Sequence, residues 1–191
     1  MQDGPRLFTV KIAVSPEELN SAYKLRYEVF SVENGDNRYT IGDSKLWKDC
    51  DDNSNACIFI AVHKQETIGT LRYTPFFGNS LIAEEKYDFA LLSKVTKIPV
   101  DIIPRVTARE DRGVVSKNYR SLGVFLELER HLVEQATRDG IKILVVAHKS
   151  TDPRLNAIFE KNGWKSYKDD THEGFSAVVA YKLIGDSKNN S

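Results

Sequence analysis

Little in this chain suggests secretion, a membrane or a nucleic acid. Its 191 residues include only two cysteines, Cys50 and Cys57. Two are too few for a disulfide framework, and we read them as free thiols in a reducing cytosol. The 27 basic and 27 acidic residues cancel, so no net field draws the chain to nucleic acid or an anionic surface. No apolar run approaches the roughly 20 residues of a membrane span, and we expect no integral membrane segment. The opening Met1-Gln2-Asp3-Gly4-Pro5 lacks the basic-then-apolar profile of a secretory signal, so we expect a cytoplasmic protein. The histidines His63, His131, His148 and His172 show no metal-ligand spacing, and we assign no metal. The stretch Asp49 to Asn55 puts oxygens at alternate places as a calcium loop does. Ser54 stands where that loop needs Gly, and Ile60 where it needs Glu, which excludes calcium. There is no internal repeat and no low-complexity tract.

What is present is an ordinary globular composition, 41% hydrophobic and 28% charged, long enough to bury one substantial core. We expect a single domain over residues 1–185 and a frayed polar tail over 186–191. Phe8 to Val14 reads as a strand. Ser15-Pro16-Glu17-Glu18 reads as a capping box opening a helix, with Pro16 at its first position. That helix puts Leu19, Ala22, Tyr23, Arg26, Tyr27 and Phe30 on one face, with Arg26 as a lone cation in the stripe. Residues 31–56 read as a long polar excursion of the kind that carries function or is disordered. Cys57–His63 and Ile68–Phe76 form an expected hairpin, and Asn79–Lys97 holds a helix or two. A long strand is expected over Ile102–Ser116, and a helix from about Leu122 to Asp139 closed by Gly140. Ile141–Ala147 reads as a strand covered on both faces and Pro153–Lys161 as a helix. Trp164–Tyr167 and Phe175–Leu183 are the final strands. The order predicts a mixed α/β sheet with helices on its faces.

The most informative stretch is Val115-Ser-Lys-Asn-Tyr-Arg-Ser-Leu-Gly-Val-Phe125. A β-branched run stops at a polar turn, an arginine and a glycine follow, and a long helix begins. The free N–H groups and positive dipole end of that helix make a seat for a phosphate. The stretch resembles the acyl-donor loop of the GNAT superfamily of N-acyltransferases, written Val-x-Pro-x-Tyr-Arg-Gly-x-Gly-x-Gly/Ala. Val115, Tyr119, Arg120, Gly123 and Val124 match, whereas Lys117, Ser121 and Phe125 depart. Leu25-Arg26-Tyr27-Glu28-Val29-Phe30 with Val32 to Gly35 resembles the opening of the autoinducer-synthase-like and N-acyl amino acid synthase branch. Asp49 to Asp52 stands where that branch has an acidic pair, and Gly69-Thr70-Leu71-Arg72 resembles its Gly-x-x-Arg. Arg109 to Val114 resembles its Glu-x-x-Arg-x-x-Val, with the glutamate one place late.

The resemblance implies a mixed, splayed central sheet with helices on both faces. It also implies an acyl-CoA or acyl-phosphopantetheine co-substrate, the latter delivered by an acyl carrier protein, and a small amine acceptor. Arg120 and the N–H groups of Ser121, Leu122, Gly123, Val124 and Phe125 are then the donor-phosphate site. The Val114, Val115 and Ser116 backbone lines the pantetheine and polarises the thioester. Glu33 is the candidate for removing the amine proton. Arg72 and Arg112 are candidates for site architecture or acceptor recognition, and Arg26 and Phe30 for holding the acceptor. Plainer readings stand beside these. Arg26 can snorkel or pair with a carboxylate, Glu33 can be solvated, and Arg72 and Arg112 can pair with Asp49, Asp52 or Glu110. Many family members also have a tyrosine that protonates the leaving thiolate. Phe159 fills that place here, with Tyr167 nearby. Two rival functions remain open: a conventional acetyl-CoA-dependent N-acetyltransferase, and a catalytically inactive acyl-CoA sensor. For a carrier-protein partner, Arg105, Arg109, Arg112, Lys117 and Arg120 are the basic residues available.

Overall fold

The computed structural model describes residues 7–53, 55–76, 86–151, 153–172 and 175–185. Its seven strands are β1 (Thr9–Ile12), β2 (Cys57–His63), β3 (Glu66–Pro75), β4 (Thr107–Val115), β5 (Ile143–Lys149), β6 (Lys165–His172) and β7 (Phe175–Leu183). They form a mixed, open sheet in the order β1-β2-β3-β4-β5-β7-β6. The helices are α1 (Pro16–Arg26), α2 (Phe89–Thr96), α3 (Ile103–Val106), α4 (Val124–Arg138) and α5 (Pro153–Lys161). The chain divides into two compact units, Met1–Thr74 with Arg112–Glu134, and Pro75–Asp111 with Gln135–Ser191.

In the first unit the capping box forms as the sequence predicts. The Ser15 hydroxyl accepts from the Glu18 N–H, and the Glu18 carboxylate accepts from the Ser15 N–H. Lys11 also donates to Glu18, and these donors hold its pKa down at about 2 against the usual 4.5. β1, β2 and β3 pair antiparallel, with Thr9 opposite Val62 and Cys57 opposite Tyr73. The β2–β3 turn takes left-handed backbone at Lys64 and Gln65, which suits the right-handed strand twist although neither residue is glycine. Ala13, Ala22, Tyr23, Ile58 and Ile60 form its main apolar cluster, and Leu25, Val29 and Val114 a second.

The second unit holds β5, β7 and β6 as an antiparallel ladder, and Thr107–Arg109 of β4 lies parallel to Ile143–Val145 of β5. Its core is aromatic and aliphatic, built on Phe76, Tyr87, Phe89, Leu92, Ile103, Val145 and Tyr181.

Three elements differ from the sequence reading. The strand expected over Ile102–Ser116 begins only at Thr107, because Pro104 stands in the first turn of α3, where its missing N–H costs nothing. α4 begins at Val124 rather than Leu122, since Ser121 (φ 69°) and Gly123 (φ 77°) are left-handed and cannot be helical. After α1 the chain continues as a π-helix over Tyr27–Glu33, so Ser31 to Glu33 do not belong to the polar excursion. The excursion itself is pinned by Trp47, fully buried, which bridges to Thr40. Residues 77–85 and the tail 186–191 lie outside the described residues.

Candidate active site

Five charged side chains converge inside the first unit. Arg72, from the middle of β3, has no solvent exposure. Its guanidinium donates to both oxygens of Asp49, at 2.5 and 3.1 Å, and lies 3.0 Å from Asp52. Arg26, at the last turn of α1 and equally buried, donates to Asp52 at 2.8 Å. Arg112 on β4 donates to Asp49 at 2.8 Å. The two carboxylates come from the 3₁₀ turn over Cys50–Asn53 and the residue before it. That turn is closed by the Asp49 N–H donating to Asp52 at 3.0 Å and the Asp51 N–H donating to Asp49 at 3.1 Å. Two buried carboxylates therefore hold three guanidinium groups. Such an array costs much desolvation and tolerates the loss of no member.

Arg112 carries a second constraint. Its φ of 55° is left-handed, rare for a residue with a side chain and rarer inside a strand. The conformation is held because its guanidinium is tied to Asp49 and stacked on two rings, 4.8 Å from Trp47 and 5.2 Å from Tyr39. Phe30, half-buried on the π-helix, meets Trp47 at 4.5 Å. The stack thus joins Phe30 to the arginine–aspartate array. Burial, with Asp52 as the next cause, raises the Tyr23 pKa beside this array.

A second group lies at the end of β4. A 3₁₀ turn over Lys117–Tyr119 leads to Arg120, whose Nε donates to the Val115 carbonyl at 3.0 Å. The same guanidinium pairs with Glu33, the last residue of the π-helix, at 2.6 Å. The two side chains are 43% and 32% exposed, so solutes can reach the pair. The Glu127 N–H donates to Gly123 at 3.0 Å and starts the helical ladder. Val124, Phe125 and Leu126 make up the first turn ahead of that bond. Phe125 leans over β4: a side chain added at Gly113 would meet its ring at 2.7 Å.

The structure thus brings together, within one unit, Arg26, Phe30, Arg72 and Arg112 in the first group and Glu33, Arg120 and the loop to Phe125 in the second. Two sequence assignments change. Arg26 is enclosed by the protein and its charge is spent on Asp52. The Ser116 N–H donates to the Ile68 carbonyl at 2.8 Å, so it is not left over for an oxyanion. Sequence reasoning singled out neither Trp47 nor Tyr39. Their signal is faint, since isolated aromatics in a polar stretch carry no period. Asp49 and Asp52 were visible as an acidic pair and as candidate partners of Arg72 and Arg112.

In the second unit, Phe159 is buried, stacked on the His148 ring at 4.5 Å and edge-on to Trp164 at 5.4 Å. Tyr167 donates its hydroxyl to the Tyr87 carbonyl at 2.5 Å, and burial pushes its pKa well up. Its proton is tied into the fold. Glu110 is buried on β4.

Comparison with known proteins adds the following. The model of the acetyltransferase (GNAT) family matches residues 19–164. No curated protein matches the sequence. Among solved structures, the CoA-dependent acyl-homoserine lactone synthase BjaI, solved with SAM and isopentyl-CoA, superposes with a TM-score of 0.70 at 18% identity, covering 93% of this chain and 83% of that one. The acyl-homoserine lactone synthase LasI gives 0.70 at 17%, covering 93% and 90%. FeeM, an N-acyl amino acid synthase from uncultured soil microbes, gives 0.70 at 13%, covering 93% and 91%. At such identities the likeness is one of fold.

Proposed function

From the premise that the chain belongs to the acetyltransferase (GNAT) family and is an acyltransferase, we propose that it acylates the amine of a small, amino-acid-like acceptor. The donor in this reading is an acyl-CoA or acyl-carrier-protein thioester. One observation carries it: in a single unit, a reachable arginine just ahead of a helix start, Arg120, pairs with a carboxylate, Glu33. A buried arginine–aspartate array lies in the same unit and is joined to the π-helix through Phe30 and Trp47. The neighbouring folds that act as acyl-homoserine lactone and N-acyl amino acid synthases support the class of donor and acceptor. The donor pools are cytoplasmic, and among the described residues no helix is long and apolar enough to cross a membrane.

The chemistry then divides among the chain's own residues. Arg120 and the N–H groups of Gly123 to Phe125 bind the donor phosphate. The backbone of Val114 and Val115 lines the pantetheine and meets the oxyanion. Glu33 takes a proton from the acceptor ammonium, directly or through a water, so that the neutral nitrogen attacks the thioester carbon. The N–C bond forms, the C–S bond breaks, sulfur leaves with the electron pair, and the second proton on nitrogen passes to water as the amide forms. No phenol stands at Phe159, and Tyr167 is committed to Tyr87. The thiolate is therefore protonated by solvent, which a thiol of ordinary pKa permits near neutral pH. Arg112 and Phe30 shape the acceptor side, with Arg72, Asp49, Asp52 and Arg26 holding them in place.

The test is amide formation followed by mass spectrometry. Purified protein is incubated with acyl-CoAs from acetyl to palmitoyl, and with the same chains on a carrier protein, against a panel of amino acids and related amines. An amide that forms only with enzyme supports the reading. Donor binding without release of thiol from any thioester sinks it.

A further inference from the structure

The Arg120–Glu33 pair places the residue that would bind the donor and the residue that would take the proton in one contact. Arg120 spends its Nε on Val115 and one terminal nitrogen on Glu33, at 3.0 and 2.6 Å. Glu33 terminates a π-helix, an irregular winding that recurs at functional sites. Arg120 is followed at once by two left-handed residues, Ser121 and Gly123, which fix the loop while its arginine stays partly exposed. An anion seated on the α4 start would approach the same guanidinium that Glu33 already neutralises. Two anions sharing one exposed cation compete, because each is repelled by the other and attracted by the same charge.

We propose that Glu33 competes with the donor's phosphate for Arg120, so that donor binding releases Glu33 to act on the acceptor amine. The inference rests on the assignment of Arg120 and the α4 start to the donor, and adds an order of events. In the free enzyme the Glu33 carboxylate is engaged by Arg120. With donor bound, the phosphate takes Arg120 and the carboxylate is freed. Acceptor chemistry therefore follows donor binding, and the amine is not deprotonated in a site that holds no thioester.

The sign of one substitution decides it. CoA is titrated by calorimetry into the wild type, Glu33→Gln and Arg120→Ala, each first checked for an unchanged melting transition. Competition predicts that Glu33→Gln binds CoA about two- to fivefold more tightly, the range an exposed ion pair can subtract. Its kcat should fall at the same time. Arg120→Ala should weaken CoA about tenfold or more, the loss of a charge-assisted contact. If Glu33 instead orients Arg120 for the phosphate, Glu33→Gln binds CoA equally or more weakly, and the competition is overturned while the donor site stands. Absence of CoA binding to the wild type removes the donor site itself, a separate failure. Steady-state kinetics give a second check: an unreactive analogue of the acceptor should inhibit uncompetitively against the acyl donor, the pattern of donor-first order. Random order would overturn the inference.

Discussion

Arg72 is the residue on which the charge balance of the first unit turns, since it contacts both Asp49 and Asp52. Its position in the centre of β3 could be read from Gly69-Thr70-Leu71-Arg72, and its pairing with Asp49 or Asp52 was one of the sequence alternatives. The rest of the stack was not readable, because Trp47 and Tyr39 reach Arg112 through an excursion without period. The acidic stretch makes a clean comparison. Asp52 has no exposed side-chain surface and serves both Arg26 and Arg72. Asp51 is 41% exposed and 3.8 Å from Arg72. Asp52→Ala removes a carboxylate partner from two buried guanidinium groups, and we expect it to cost about 3–5 kcal/mol in urea unfolding. Asp51→Ala should stay within about 0.5 kcal/mol. Equal effects would mean that the burial of the array is not what stabilises it.

At the scale of elements, the seating of α4 on the strands depends on two residues without side chains. A methyl at Gly69 would come within 2.7 Å of Val124 and 3.0 Å of Leu128, both fully buried. Gly69→Ala should overpack that contact by about 1–3 kcal/mol. Val124→Ala combined with it should cost less than the sum of the single changes, a coupling that a double-mutant cycle reads directly. The start of α1 supplies a pH test. The Glu18 pKa is lowered from 4.5 to about 2, so its contribution to stability is complete above pH 4.5. The contribution fades as the pH falls from there towards 2. The gap in stability between wild type and Glu18→Gln should therefore be constant from pH 5 to 7 and shrink below about 4.5. A gap that widens in acid would mean the capping box does not hold the carboxylate. The box, α5 and the hairpin were readable because each rests on local signals: a cap, a proline, alternation. The π-turn, the left-handed Arg112 and the late start of α4 were not. They are set by contacts far along the chain, and propensity yields to such contacts.

For the whole molecule, the cancelling charges of the sequence meet a structure that neutralises much of the local basic set as well. Of the residues offered for a carrier protein, Arg109 lies 3.1 Å from Asp111, Arg112 is tied to Asp49 and Arg120 to Glu33. Arg105 and Lys117 remain exposed. Three of these five cations are thus already in ion pairs, and CoA is the donor form used in the test that follows. Binding to the folded state alone should then appear in the melting temperature. At a hundredfold excess of CoA over its Kd, the stabilisation is about 2.7 kcal/mol, or about 5–10 °C for a domain of this size. Arg120→Ala removes an exposed ion pair and an exposed hydrogen bond to Val115, so its melting point without ligand should stay close to that of the wild type. The CoA-dependent rise should collapse in the same variant. If Arg120→Ala keeps the full rise, CoA binds elsewhere and the assignment of the α4 start is wrong. If the variant melts far lower without ligand, Arg120 is a structural tie between β4 and the π-helix, and its role in the donor site must be argued from another residue.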